Sequence, residues 1–277
     1  MDDFFDLGPE DVEQWPRDTK IDDAKEKLLA LFEAEPKEVF YEHQLEILFE
    51  RQFFHWITGK ALHELVAEDR IASELMTLAG AVPIRFYHRR SHRGWRRQAK
   101  EILKLVAAFS TEDFSRGLGR HGEQMVDAAL PRVGFIRLAK ATRTYGDRSW
   151  VETGHDLDRI YRYEDLVFGA EIKNRLSYMD FADIQTKIRI CKHLGLIPFF
   201  IVRMFPKSYF DFIQKKGGIT LILEHQLYPH GQHGFAQQVK SRLRLPVDSP
   251  PEIFDATLDR LLRAITRLRM NLAARHN

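Results

Sequence analysis

The chain has 277 residues, of which 44% are hydrophobic and 30% charged, enough apolar material for a sizeable core. No apolar run is long enough to cross a bilayer, and Met1-Asp2-Asp3-Phe4-Phe5-Asp6 lacks the basic-then-apolar order of a signal peptide, so a cytoplasmic protein is expected. Cys191 is the single cysteine, which excludes an internal disulfide and any cysteine-rich zinc site. The net charge of +2 conceals an asymmetry: residues 1–50 carry 16 acids and 5 bases, whereas residues 51–277 carry 24 acids and 37 bases. An acidic leader ahead of a basic body suits an anionic partner, with nucleic acid foremost and a merely solvated arginine-rich surface as the alternative.

Residues 1–20 contain Pro9 and Pro16, show no clear period, and read as a partly ordered leader. Over residues 22–33 apolar side chains recur at Ala24, Leu28, Leu29, Leu31 and Phe32, the spacing of an amphipathic helix that Pro36 ends. A second helix is expected over about 40–52, with Tyr41, Leu45, Leu48 and Phe49 on one side. Thr58 is a candidate N-cap for a third over 59–68, which would turn Leu62, Leu65 and Val66 to the core. Strands are expected over 70–78 and 82–88, followed by a run in which six arginines between Arg85 and Arg97 interleave with Tyr87 and Trp95. That composition suits phosphate contacts, with an aromatic packed on sugar or base. Three helices and then a hairpin with a basic tip resemble the winged-helix plan, and Phe54-His55-Trp56-Ile57-Thr58-Gly59-Lys60-Ala61-Leu62 is similar to its helix-turn-helix part. The resemblance implies a DNA-binding domain over residues 21–111, with Lys60, Arg89, Arg90, Arg93, Trp95, Arg96 and Arg97 as contacts. Its last helix is expected over 99–109, with a connector over 109–115.

Gly117-Leu118-Gly119-Arg120-His121-Gly122 matches the G-x-G-x-x-G pattern, but the polar residues 110–116 cannot supply the buried strand that a dinucleotide site requires, so that reading is rejected. The glycines are expected to lead into a helix from Glu123 to about Val133, and a strand is expected near 135–138. Residues 156–173 are the centre of the reading, because two runs rich in Ile, Val, Phe and Tyr flank Glu164-Asp165 as the arms of a β-hairpin. With a two-residue loop Tyr163 pairs with Leu166, which places Asp158 opposite Glu171 and Asp156 opposite Lys173 on one face. Two carboxylates roughly 5 Å apart across a sheet repel, an arrangement that makes sense around a cation.

A helix follows over 181–193, with Ile184, Ile188 and Cys191 inward, Gln185, Lys187, Arg189 and Lys192 more polar, and Gly195 ending it. Residues 197–204 read as a buried strand that this helix would link in parallel to the Glu171 strand. A further helix over 208–214 and a strand over 219–223 precede the break at Pro246, Pro250 and Pro251. A long amphipathic helix over 252–274 is expected, with Arg260, Arg263, Arg267, Arg269 and Arg275 facing nucleic acid or solvent. His225, His230 and His233 have spacings that zinc accepts, but no cysteine or carboxylate stands close by, so exposed histidines are expected.

A helix with Glu123, a hairpin with Asp158 and Glu171-Ile172-Lys173, a helix with Gln185 and a returning strand resemble the PD-(D/E)XK nuclease superfamily over about residues 117–225. The family motif is an Asp, a spacer, then Glu-x-Lys on adjoining strands, usually with a Glu in the preceding helix. Glu171-Ile172-Lys173-Asn174 is also similar to the Glu-x-Lys-Asn of the subgroup related to methylation-dependent restriction enzymes. Leu157 stands where the motif's name has Pro, which keeps Asp156 as a substitute ligand.

The resemblance implies an α/β, restriction-endonuclease-like domain over residues 112–245, a mixed central sheet flanked by helices, followed by a C-terminal helix over 246–277. It implies a Mg²⁺-dependent endodeoxyribonuclease of restriction, defence or repair, with Mn²⁺ as a substitute. Asp158, Glu171 and Glu123 would hold the metal, Lys173 would orient or activate water, and Gln185 would orient a ligand or contact substrate. Mg²⁺ suits such a site because it binds one or two carboxylates and keeps several waters. The partner would be double-stranded DNA, and cutting both strands symmetrically would require a homodimer. The competing readings are a solvent-facing ion-pair ladder, a DNA-binding regulator with a vestigial nuclease fold, and a junction resolvase.

Overall fold

A computed structural model describes residues 18–77 and 83–276, so the leader up to residue 17 and the expected strand ends at Leu78 and Val82 lie outside the described residues. The chain divides into two compact units, residues 1–103 and 104–277.

The first unit opens with α1 (Lys20–Ala34), which buries Ile21, Ala24, Leu28 and Phe32 at helical spacing. Phe40 and Tyr41, expected to begin the second helix, lie instead in β1 (Val39–Tyr41), where all three side chains are buried. Helix α2 (Glu42–Phe49) starts behind them, and the Gln44 side chain accepts the Tyr41 N–H at 3.3 Å. Helix α3 (His55–Ala67) begins earlier than expected, with extended Phe54 at its N-cap and Thr58 buried inside it rather than capping it. Leu62 and Leu65 face the core as expected.

Strands β2 (Ala72–Met76) and β3 (Ile84–His88) pair antiparallel, from Ala72 opposite His88 to Met76 opposite Ile84, and β1 joins the other side of β3. That register corrects the expected basic tip. The hairpin connection lies between Met76 and Ile84, so residues 89–97 start at its other end and lead into α4 (Trp95–Phe109).

In the second unit α5 (Glu112–Ala129) starts where the Thr111 hydroxyl accepts the Phe114 N–H at 3.3 Å. It runs straight through Gly117, Gly119 and Gly122, residues expected to precede it, so the glycine pattern forms no phosphate loop. Then come β4 (Ile136–Thr142), β5 (Thr144–Tyr145), β6 (Arg148–Ser149), β7 (Leu157–Tyr163), β8 (Leu166–Lys173), α6 (Phe181–Leu194), β9 (Ile197–Val202), α7 (Lys207–Lys215) and β10 (Ile219–Ile222). The short strands β11 (Gln226–Leu227) and β12 (Val247–Asp248) enclose α8 (His233–Leu243), and α9 (Asp255–His276) ends the chain.

Five strands form a mixed sheet in the order β10-β9-β8-β7-β4. The expected crossover is present: α6 returns the chain so that β9 runs parallel to β8, with Glu171 beside Phe200 and Lys173 beside Val202. One face packs Phe168, Ala170, Ile172 and Phe199 against α5 and α9. The other packs Ile160 against Ile190 and Cys191, and Phe200 and Val202 against Ile184 and Ile188, all from α6. Among the described residues no helix is long and apolar enough to cross a membrane.

Candidate active site

The hairpin that carries the acids closes as its turn residues require. Tyr163 pairs with Leu166, and Glu164 takes a positive φ of 52°, a backbone form that side chains adopt at a cost. Arg269 of α9 holds the turn, donating to Glu164 at 2.7 Å and to Asp165. The ladder continues to Arg159 opposite Ala170 and stops there. The next N–H, that of Ile172, donates to Asp158 Oδ2 at 2.7 Å. Asp158 is therefore not one half of a flat cross-strand pair. Its carboxylate stands in for a backbone acceptor, which holds it at the splayed end of the two strands.

Glu171 is buried, with Lys173 Nζ 2.6 Å from Oε1 and Lys187 Nζ 2.6 Å from Oε2. Each buried Glu171 oxygen is thus held in a close ion pair, one ammonium to each. Burial, and after it the negative charge of Asp158, push the Glu171 carboxyl above its ordinary range against the pull of both lysines. Burial alone would lower the Lys173 ammonium, but Glu171 and Asp158 outweigh it and hold that group raised.

Glu123 does not join this pair. Its Oε2 accepts from Arg159 Nη2 at 2.8 Å, and Arg159 shares the α5 face of the sheet with Ala170, whereas Glu171 faces α6. Arg159 is fully buried and also donates to Asp127, through Nε at 3.1 Å and Nη2 at 3.0 Å; Tyr161 and Arg137 reach the same carboxylate at 2.6 and 2.7 Å. Burial would raise the Asp127 carboxyl, but the hydrogen bonds from Arg159 and Tyr161 prevail and lower it. Arg159 Nη1 also donates to the Asp158 carbonyl at 2.7 Å, so one guanidinium joins the α5 network to the backbone of the site.

Glu123, expected as a third metal ligand, is thus placed beside Arg159 rather than beside Asp158 and Glu171. Among the described residues no three His, Cys, Asp or Glu side chains converge on one point, the three histidines near residue 230 included. The pair Asp158 and Glu171 still fits a hard cation. Their oxygens are the hard donors that Mg²⁺ takes, one or two protein carboxylates suffice for it, and the Lys173 ammonium at Glu171 Oε1 is part-exposed.

Gln185 is exposed on α6, and Lys187 takes the inward position instead. The sequence carried the signal: Ile184, Lys187, Ile188 and Cys191 fall at i, i+3, i+4 and i+7, which places Lys187 inside the buried stripe and Gln185 outside it. Sequence reasoning also misses Asp127 and Arg159, although Arg159 alternates with Asp158 in a strand whose other members are mostly buried. Asn174, the last residue of Glu-x-Lys-Asn, is a buried clamp. Its Nδ2 donates to the Leu118 and Leu227 carbonyls at 2.8 and 2.7 Å, and its Oδ1 accepts the Leu227 N–H at 2.7 Å.

In the first unit Arg90, Arg93, Arg96, Arg97 and Lys60 are exposed and Arg89 is half-buried, while Arg90 is paired with Asp69. Trp95 departs from its expected role. It is only 8% exposed and stacks on His88 at 4.6 Å, with Arg96 over its ring at 4.7 Å, so its face is used inside the fold. In α9, Arg260 and Arg269 are engaged by Glu224 and by the hairpin turn. Compared with known proteins, the chain matches no family model, no curated protein and no solved structure.

Proposed function

We propose that the protein is a Mg²⁺-dependent endodeoxyribonuclease, with a PD-(D/E)XK-like core in the second unit and a winged-helix DNA-binding module in the first. The observation that carries this reading is the meeting of Asp158 with the buried Glu171 at the splayed end of β7 and β8, with the part-exposed Lys173 beside them. A fold keeps two acids together in low dielectric only when cations are there to balance them. Asp158 and Glu171 would hold a divalent ion, which would supply Lewis acidity toward phosphate and water. Lys173, part-exposed at the end of β8, would orient that water and offset the charge of the phosphate. The Asp158 carboxylate is pre-positioned by the Ile172 N–H, and Arg159 steadies its backbone.

The order α1-β1-α2-α3-β2-β3, with its three-stranded antiparallel sheet, supports the winged-helix reading, and the exposed arginines after β3 suit a phosphate backbone. The test is cleavage of linear, branched, methylated and single-stranded DNA with Mg²⁺. Asp158→Asn and Lys173→Met are expected to abolish cutting while DNA binding persists; undiminished cutting by both sinks the assignment. One observation favours a second reading, that of a non-catalytic DNA-binding protein: each Glu171 oxygen already has its own ammonium. Tight DNA binding without any Mg²⁺ or Mn²⁺ uptake in calorimetry would select it.

A further inference from the structure

Lys187 is the charged group at the site that the Glu-x-Lys motif does not contain. We propose that it is a positioning residue, the fixed counter-cation of Glu171, so that the site takes one divalent cation, on its Lys173 side, and not two. The inference rests on the metal-dependent reading above.

An ammonium stands 2.6 Å from each Glu171 oxygen, so an incoming ion must replace one of them. The two lysines are not equivalent. Lys187 lies in the α6 stripe packed on the sheet, its side chain is 8% exposed, and its Nζ also donates to the Asp156 carbonyl. Moving it would take its donor from the Asp156 carbonyl and strand a buried ammonium. Lys173 is 33% exposed, and Glu171 is its one ion-pair partner among the described residues. Its long side chain turns to solvent at little cost.

The ion therefore reaches Glu171 at Oε1, together with Asp158, and the displaced Lys173 ammonium is released to the open side, where phosphate and water approach. Oε2 stays with Lys187. With one divalent ion and the Lys187 ammonium in place the site carries three positive charges against two carboxylates, and a second divalent ion would meet a fixed positive charge at the oxygen it needs.

The test counts Mn²⁺ bound per chain, by electron paramagnetic resonance and calorimetry, on the full chain without DNA, with thermal melts to confirm folding. One ion per chain is expected for the wild type and for Lys187→Arg. Lys173→Met, with the competing ammonium removed, should bind that ion about fivefold tighter, the scale of one part-exposed ion pair. Two ions in the wild type, or tighter binding in Lys187→Met with none in Lys173→Met, overturns the proposal while leaving a metal enzyme standing. No bound ion in the wild type overturns the proposal and the metal-dependent reading together.

Discussion

Replacing Gly122 by alanine tests how closely α5 lies on the end of β8. The added Cβ would stand 2.4 Å from Asn174 Cβ and 2.9 Å from its Cγ, so either the helix lifts or the asparagine leaves its place. Leaving breaks the hydrogen bonds of its side chain to Leu118 and Leu227. Overpacking costs about 1–3 kcal/mol and each surrendered hydrogen bond about 1 kcal/mol, while alanine in place of glycine returns about 1 kcal/mol of helix propensity. Gly119 lies in the same helix, and a Cβ there would meet nothing within 4 Å, so Gly119→Ala collects the propensity gain alone. The gain cancels between the two variants, and Gly119→Ala should exceed Gly122→Ala in stability by about 1–3 kcal/mol. Urea unfolding should place their midpoints on opposite sides of the wild type. Coincident midpoints would refute the close approach.

The other expectations concern charge. Burial notwithstanding, Arg159 and Tyr161 hold the Asp127 carboxyl below its ordinary value, so between those two values the unfolded chain binds a proton that the folded chain refuses. Stability from this group is complete above the ordinary carboxylate pKa and is lost as pH falls toward the lowered one; Asp127→Asn should flatten that limb of a stability-against-pH curve, and an unaltered limb would contradict the network. Glu171→Ala leaves the Lys187 ammonium buried without its carboxylate and should cost about 3–5 kcal/mol, most of which the double variant Glu171→Leu/Lys187→Met should recover in denaturant unfolding. A double variant as unstable as the single one would show that Lys187 does not depend on Glu171. Replacing Arg93 and Arg97 by Gln should lower the slope of log affinity against log salt for duplex DNA by about 0.9 for each phosphate no longer neutralised, measured by fluorescence anisotropy. An unchanged slope would remove the segment after β3 from the DNA interface.

What can be read from the residues is what neighbours in sequence decide. The 163–166 turn, the alternation along β7 and β8, and the helix that returns β9 beside β8 each follow from signals a few residues apart. What escapes depends on distant partners. Phe40 and Tyr41 have apolar spacing that serves a helix or a strand equally, and only their pairing with Tyr87 and Phe86 decides for the strand. Three glycines argue against a helix over 117–122, yet α5 tolerates them, and at Gly122 the contact with Asn174 requires the missing side chain. The basic run reads as a hairpin tip because it follows a strand, but the β2–β3 register puts the tip elsewhere. Glu123 suits a metal by its place in the motif, whereas its true partner depends on which face of β7 meets α5, a matter only the assembled sheet settles.

The neighbouring pair Asp158-Arg159 also guards the fidelity of folding. A hairpin whose arms slipped by one residue would exchange the faces of every side chain on β7. Arg159 would then meet Lys173 and Lys187, while Asp158 would turn toward Asp127 and Glu123. Cations would crowd one side of the sheet and acids the other, and both faces would repel. The misregistered arrangement is thereby discouraged by the same charges that furnish the site, so a substitution that neutralises Asp158 or Arg159 removes a proofreading signal along with a functional group.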